Sequence, residues 1–272
     1  MIAFAGNSLL CRMALKQTNI DAATFTLVRI VSGAIALWLL ANVRKARSPW
    51  KGSWSSAAAL FVYAAAFSFA YIGLSAATGA LLLFGAVQAT MIGWGLRNGE
   101  HLRSRQWLGL AFALGGLIAL LLPGLSAPPL AGSILMLTAG IAWGVYSLRG
   151  KNGGDPISAT AGNFLRAVPM AAVLCLGLFS SVRFDSAGLG YAMLSGAIAS
   201  GVGYAIWYSA LPWLKAASAA AVQLSVPVLA AAGGILLLGE PITMRFLFAS
   251  IAILGGIAFV VLEKRRAVVP VE

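Results

Sequence analysis

The sequence predicts an all-α integral membrane protein of ten transmembrane helices, arranged as two inverted five-helix repeats. Three observations carry that expectation. Hydrophobic residues are 60% of the 272 and charged residues only 10%, where a soluble domain carries about a quarter charged. The charges cluster between apolar runs, and about 18 apolar residues suffice to span a hydrocarbon core as a helix. The third observation is that the two halves of the chain match each other. The runs lack the period-two alternation of a barrel strand, and backbone in lipid must satisfy its own hydrogen bonds, so they read as helices.

The spans follow in order. Met1–Leu15 is interrupted by Asn7, Ser8 and Arg12 and reaches only about 22 Å as a helix. No basic segment precedes it, so it is not a signal peptide; a trimmed start is expected, with Met1 inside or near the membrane boundary. Ala22–Val43 ends at a basic cluster, and Trp54–Gly73 and Thr78–Leu96 follow. Gln106–Leu122 is separated from Pro129–Leu148 by the turn-forming run PGLSAPP, and GKNGGDP precedes Ile157–Ser180. Ala187–Leu211, Ala216–Leu238 and Thr243–Leu262 complete the set. Residues 1–125 form the first repeat, 126–266 the second, and 267–272 a short tail expected to be disordered. No linker is long enough to hold an extramembrane domain.

Orientation follows from the distribution of Lys and Arg. Thirteen of the 19 fall on one side: Arg44, Lys45, Arg47, Lys51, Arg97, Arg103, Arg105, Arg149, Lys151, Lys215, Lys264, Arg265 and Arg266. Three fall on the other, Lys16, Arg183 and Arg245, while Arg12, Arg29 and Arg166 lie within spans. Both termini are therefore expected in the cytoplasm of a bacterial inner membrane. The formal charge of +12 is juxtamembrane and spread over separate segments, which fits topology and anionic headgroups rather than nucleic acid.

The repeat is legible at two constant shifts, whose three-residue difference falls in a loop. A shift of 140 pairs Gly93 with Gly233, Gly99-Glu100 with Gly239-Glu240, Arg105 with Arg245, and Leu114-Gly115-Gly116 with Leu254-Gly255-Gly256. A shift of 137 pairs Arg29 with Arg166, Phe67 with Tyr204, and Tyr71 with Tyr208. Chance accounts for Ala, Gly and Leu matches, but not readily for Glu on Glu and Arg on Arg in so apolar a chain. Five spans per repeat is an odd number, so the second repeat enters the membrane inverted. Inverted repeats mark secondary transporters, with a site near the midplane between the halves.

Each half ends in Gly-Glu, a polar stretch and a final helix with Gly-Gly, a pattern that resembles the EamA-type half of the drug/metabolite transporter superfamily. LVRIVSGAIAL and FLRAVPMAAVL resemble that family's second helix, and AWGVYSL from Ala142 its Trp-Gly opening; FAGNSLLCR in the first half lacks the Trp. The resemblance covers essentially the whole chain, with overall likeness greatest to the YddG-type aromatic amino acid exporters. It implies export of small amphipathic metabolites, foremost amino acids, aromatic or otherwise bulky and neutral. Export of drugs or other metabolites on the same fold is the alternative. A gated channel, a different class, needs a continuous polar stripe, and only scattered Asn, Gln, Ser and Thr are found.

The inventory of reactive groups argues against an enzyme. Asp21, Glu100, Asp155, Asp185, Glu240, Glu263 and Glu272 all fall at span ends or loops, and the one histidine, His101, lies in a basic loop. Paired carboxylates, a Ser–His arrangement and His-Glu-x-x-His are all missing. Cys11 and Cys175 sit in apolar spans. No metal or cofactor is expected; the partners are a small-molecule substrate and the lipid bilayer. Without an acid in mid-membrane, transport free of proton coupling is the simplest mechanism.

A substrate pocket is expected from the aromatic and polar residues that converge by helical spacing. Tyr63, Phe67 and Tyr71 share one helix face and map onto Ser200, Tyr204 and Tyr208, with Trp207 alongside. Trp143, Tyr146, Asn7, Gln88 and Gln223 complete the candidate wall. Core packing explains such a stripe as well, and the interfacial aromatic belt fits Tyr71 and Tyr208 at span ends. Arg29 and Arg166 are read as gating or structural, with structure favoured because equivalent positions lie nearer opposite faces. Pro227 with Gly233-Gly234, and Pro169, are expected to bend their helices. Gly140-x-x-x-Gly144 is expected to pack, and Glu100 and Glu240 to cap or anchor the following helices at the interface rather than bind substrate.

Overall fold

The computed structural model describes residues 1–44, 51–99, 101–124, 127–150, 155–210, 213 and 222–262. Glu100, residues 216–221 of the expected ninth span, and the tail 267–272 lie outside them. The described residues are helical without a strand: α1 (Ile2–Gln17), α2 (Ala22–Val43), α3 (Trp54–Ala70), α4 (Ala76–Arg97) and α5 (Ser104–Leu121). Then come α6 (Leu130–Gly150), α7 (Pro156–Gly177), α8 (Ser186–Ala210), α9 (Ser225–Leu238) and α10 (Met244–Leu262). Seven of these, α2, α4, α5, α6, α7, α8 and α10, are long and apolar enough to cross a membrane. Of the shorter ones, α3 and α9 are also apolar.

Short polar side chains ahead of apolar runs fix the helix starts. Ser53 accepts from Ser56 N, Ser75 from Thr78 N, and Asp185 from Gly188 N; each such cap is worth about 0.5–2 kcal/mol. Asp21 accepts from Ala23 and Thr24 N, and its second oxygen accepts from Arg183 N at 2.8 Å. Partial burial opposes its charge, but hydrogen bonds from Thr24, Arg183 and Ala23 outweigh that and hold the carboxyl below its usual range. α3 stops at Ala70, three residues short of expectation, because Tyr71 turns back under α4: its hydroxyl reaches Ala76 O at 3.4 Å.

Contacts at the helix ends sort into two sets. At one end Arg183 meets Asp21, Arg245 donates to Leu122 O, and Arg12 donates to Tyr71 O at 2.8 Å. At the other end Ser53 N donates to Asn163 Oδ1 at 2.9 Å, Arg149 Nε to Ser56 Oγ at 3.2 Å, and Gln106 Nε2 to Val260 O at 2.9 Å. Successive helices therefore run up and down.

The packing partners come in matched sets. α3 packs on α6, and α1 on α8; α4 packs on α6, and α1 on α9; α2 pairs with α7, and α5 with α10. Small residues set the closest approaches. A Cβ on Gly109 would stand 2.7 Å from Gly256 O, and one on Gly116 2.7 Å from Ala252 Cβ and 3.1 Å from Ala249 O. Gly140 and Gly144 do pack, as expected: their added Cβ atoms would meet Leu83 O at 2.5 Å and Thr90 Cβ at 2.8 Å.

Pro227 is the third residue of α9; its missing N–H leaves the Gln223 carbonyl without a helical donor, and the helix is interrupted at Leu224. Two expectations need correcting. Tyr71 and Tyr208 are not interfacial but buried, at 0% and 5% exposure. Glu240 does not cap the helix after it. It is buried, accepts from Ala76 N at 2.8 Å at the start of α4, and pairs with Arg12 of α1.

Candidate functional site

α8 departs from regular geometry at the centre of the bundle. Ser195–Val202 winds as a π-helix, a form concentrated at functional sites. It lies against α2, where Gly196 sits so near Arg29 O and Ser32 Oγ that any side chain would clash. The wide turn delivers two hydroxyls to the interior. Ser195 Oγ donates to Asn7 Oδ1 at 2.6 Å, and Ser200 Oγ accepts from Arg29 Nε at 3.3 Å. Asn7 Nδ2 and Arg29 Nη2 both donate to Tyr63 Oη, at 3.2 and 3.0 Å. The chain Ser195–Asn7–Tyr63–Arg29–Ser200 thus ties α1, α2, α3 and α8 together.

Arg29 is the most demanding member, at 2% exposure. Its guanidinium lies over the rings of Phe67 (4.8 Å) and Tyr63 (5.1 Å). Among the described residues it has no carboxylate partner; the ion pair there is Arg12–Glu240. Placing an arginine in a membrane interior costs roughly 3 kcal/mol even on the mildest scale, and two hydrogen bonds with two ring faces offset part of that. Nη1 is buried without a hydrogen-bond partner, as is the hydroxyl of Tyr204. Arg166, aligned with it by the 137 shift in sequence, is half-buried and turns to Gly162 O of its own helix at 2.9 Å.

Aromatic rings enclose the space beside this network. Phe4, Asn7, Tyr63, Phe67, Leu83, Phe84, Trp143 and Tyr204 line a closed cavity of about 10 Å³, room for roughly one water. Trp143 stands 4.7 Å from Tyr204 and 4.9 Å from Tyr63, centroid to centroid. Phe4 touches Trp207 at 6.1 Å. Beyond Trp143, Tyr146 at 5.5 Å separates the cavity from a vestibule of about 460 Å³, whose walls include Lys51, Ser56, Arg149, Asn163 and Tyr208. Concavities of comparable size, about 520 and 410 Å³, lie between α5 and α10, lined chiefly by apolar residues such as Leu108, Phe112 and Phe248. Arg245 is the one charged residue lining either of these, whereas Asn7, Tyr63 and Tyr204 converge at the central cavity, which makes the central one the candidate site.

Five residues expected at the site, Asn7, Tyr63, Phe67, Trp143 and Tyr204, do meet around one cavity. Trp207 joins through Phe4, and Tyr146 belongs to the vestibule side. Gln88 and Gln223 are buried with an unpartnered side-chain atom each, but neither lines this cavity. Phe4, Leu83, Phe84 and Ser195 were not singled out, and Ser200 entered only as the position matching Tyr63. The serines carried a faint signal, two hydroxyls in a glycine-rich apolar run, but only the π-turn aims both inward.

The comparisons bear on the whole chain. A protein of Pseudomonas aeruginosa, described as uncharacterized protein PA1977, is 60% identical over 261 residues, 96% of this chain and 91% of the relative. An uncharacterized transporter of Archaeoglobus fulgidus is 24% identical over 245 residues, 85% of this chain and 84% of the relative. A crystal structure with a TM-score of 0.68 at 17% identity, covering 97% of this chain and 99% of that one, shares the fold. Residues 130–262 match the EamA-like transporter family, so the second half of the chain is of that family and the chain is a membrane transporter.

Proposed function

We propose that the chain exports amino acids, aromatic or other bulky neutral ones, by alternating access between two inverted five-helix repeats. The observation that carries this is the aromatic cavity with its polar edge: rings of Phe4, Tyr63, Trp143 and Tyr204 around the amide of Asn7. Flat apolar walls with a few hydrogen-bonding groups suit a bulky side chain attached to a small polar head.

The repeat reading is supported by the way contacts exchange when α1–α5 are swapped for α6–α10: each packing pair named above maps onto another or onto itself. At the self-paired α5–α10 contact, Gly116 and Gly256 are equivalent under the 140 shift, as are Gly109 and Ala249. Gly109 lies against Gly256, and Gly116 against Ala249. With cytoplasmic termini, the vestibule at Lys51 and Arg149 faces the cytoplasm. The opposite end is shut where Arg12 binds Glu240 and the Tyr71 and Ile72 carbonyls. Cargo enters past Tyr146 and Trp143, and leaves when that outer contact opens. Among the described residues no carboxylate lines the cavity, which supports a cycle that runs on the substrate gradient without a coupled proton.

The test is uptake of labelled tryptophan, phenylalanine and leucine into liposomes containing the purified protein, with and without a pH gradient. Saturable uptake of at least one, competed by the others, is expected. Transport of cationic dyes or unrelated metabolites, with none of the amino acids moving, favours the drug-exporter alternative instead.

A further inference from the structure

We propose that Arg29 is the anchor for a carboxylate on the cargo, with the hydroxyl of Tyr204 as a second donor. This deepens the amino-acid reading and rests on it for the location of the cavity, but it makes a separate claim about which part of the molecule is recognised. The argument starts from charge. A guanidinium 2% exposed is kept ionised at any physiological pH, and buried charges are ordinarily paired. Among the described residues no carboxylate pairs with Arg29, while Glu240 is committed to Arg12 and Asp21 to the start of α2. The described residues thus supply no counter-charge, and the cargo fills that role.

Geometry says where. Arg29 packs on Phe67 and Tyr63, both of which line the cavity. Its Nε and Nη2 are held by Ser200 and Tyr63, which fixes the plane of the group and leaves Nη1 unused. Tyr204 follows Ser200 by one turn of α8, lines the same cavity, and its hydroxyl is likewise unpartnered. A pure brace between α2, α3 and α8 needs neither Nη1 nor that hydroxyl. Two buried, unsatisfied donors, the Tyr204 hydroxyl on the cavity wall and the cationic Nη1 behind the Tyr63 and Phe67 rings that line it, match a single carboxylate, which accepts through two oxygens. A phosphate dianion would leave charge uncompensated, and the aromatic walls are too apolar to supply the remainder. In the closed state the cavity has room for about one water, so the carboxylate meets Nη1 only as the rings of Tyr63, Trp143 and Tyr204 separate.

The experiment uses the full chain in nanodiscs and reads intrinsic tryptophan fluorescence, to which Trp143 contributes, during titration with L-phenylalanine, phenylacetate, phenethylamine and octanoate. Responses to L-phenylalanine and phenylacetate, with none to phenethylamine, are expected. Arg29→Gln should weaken both acids at least tenfold, and Arg29→Lys should keep the preference for acids at lower affinity. Tyr204→Phe, which removes only an unpartnered hydroxyl, should weaken the acids several-fold without lowering the melting temperature, keeping the idea testable if Arg29→Gln fails to fold. Equal responses to phenethylamine and L-phenylalanine, or acid binding unchanged in Arg29→Gln or Tyr204→Phe, overturn the anchor and leave amino-acid export standing. Responses to octanoate and phenylacetate but not to L-phenylalanine sink the amino-acid reading and leave the anchor. No response to any carboxylate overturns both.

Discussion

Arg12 Nε and Glu240 Oε1 lie 3.0 Å apart, joining α1 to the turn after α9 across 228 residues of sequence. Their side chains are 13% and 5% exposed. Glu240 Oε2 accepts from Ala76 N, and Arg12 Nη1 donates to Tyr71 and Ile72 O. One carboxylate thus neutralises a cation and satisfies an otherwise free amide at the start of α4.

Breaking that contact from one side should cost far more than removing it whole. Truncating one partner of a buried pair leaves the other charge stranded, typically about 3–5 kcal/mol, whereas apolar replacement of both is often neutral. Glu240→Leu is expected to lower the melting temperature in detergent by several degrees, and Arg12→Met with Glu240→Leu to recover much of it, less the share owed to the Ala76 amide. Additive losses in the double variant would mean that the two residues act separately.

How far the sequence could be read depends on whether a feature is local. The helices were legible because apolar runs and short polar caps such as Ser75 and Asp185 are written in neighbouring residues. The aromatic cluster was legible because Tyr63 and Phe67 lie four apart and align with Ser200 and Tyr204 under the 137 shift. Arg12–Glu240 was not: Glu240 looked like a cap for its own following helix, and only tertiary packing brings the start of α4 to it. The same holds for Tyr71, whose place at a helix end pointed to the membrane interface until the Gly79 surface gave its ring a slot.

Topology gives a second test. With cytoplasmic termini, a cysteine at exposed Ser186 should react in intact cells with an impermeant thiol reagent, and one at exposed Ser104 only after permeabilisation. The reverse pattern would turn the molecule over in the membrane; labelling of both from outside would break the inverted-repeat arrangement.

The α5–α10 contact should tolerate no side chain at its crossing. Gly256→Ala places a Cβ against Gly109 O and should destabilise by about 1–3 kcal/mol through forced separation of the helices. Gly115→Ala meets nothing within 4 Å and should be neutral or stabilising by up to about 1 kcal/mol, since Ala favours helix over Gly. Thermal unfolding of the two variants in the same detergent measures the difference, and equal melting temperatures would argue that α5 and α10 pack less closely.

Coupling is testable without any variant. Liposome uptake driven by substrate alone should proceed at a rate unchanged by an imposed pH gradient, because among the described residues no acidic side chain lines the cavity. Uptake that appears only with the gradient would make Glu240 the first candidate for the proton, since it is the acidic residue buried nearest the closed end.

The aromatic wall provides the most direct test of the site. Tyr204 contacts Trp143, Phe4 and Phe164, and Trp207 reaches the cavity only through Phe4. Tyr204→Ala removes one face of the cavity and one donor; Trp207→Ala removes the support behind Phe4 and lets the wall collapse outward. Both truncations sit in the core and cost stability, of order 3–5 kcal/mol, so transport must be compared at matched amounts of folded protein. Trp38, on α2 and 47% exposed, is as large a deletion on the outer surface. At matched levels, Tyr204→Ala should lose at least tenfold in initial uptake rate, Trp207→Ala several-fold, and Trp38→Ala less than twofold. The ordering matters more than the size of each loss, because it follows distance from the cavity. Equal uptake in all three would move the site away from the Trp143–Tyr204 wall, and an equal loss in all three would trace the defect to folding rather than to cargo recognition.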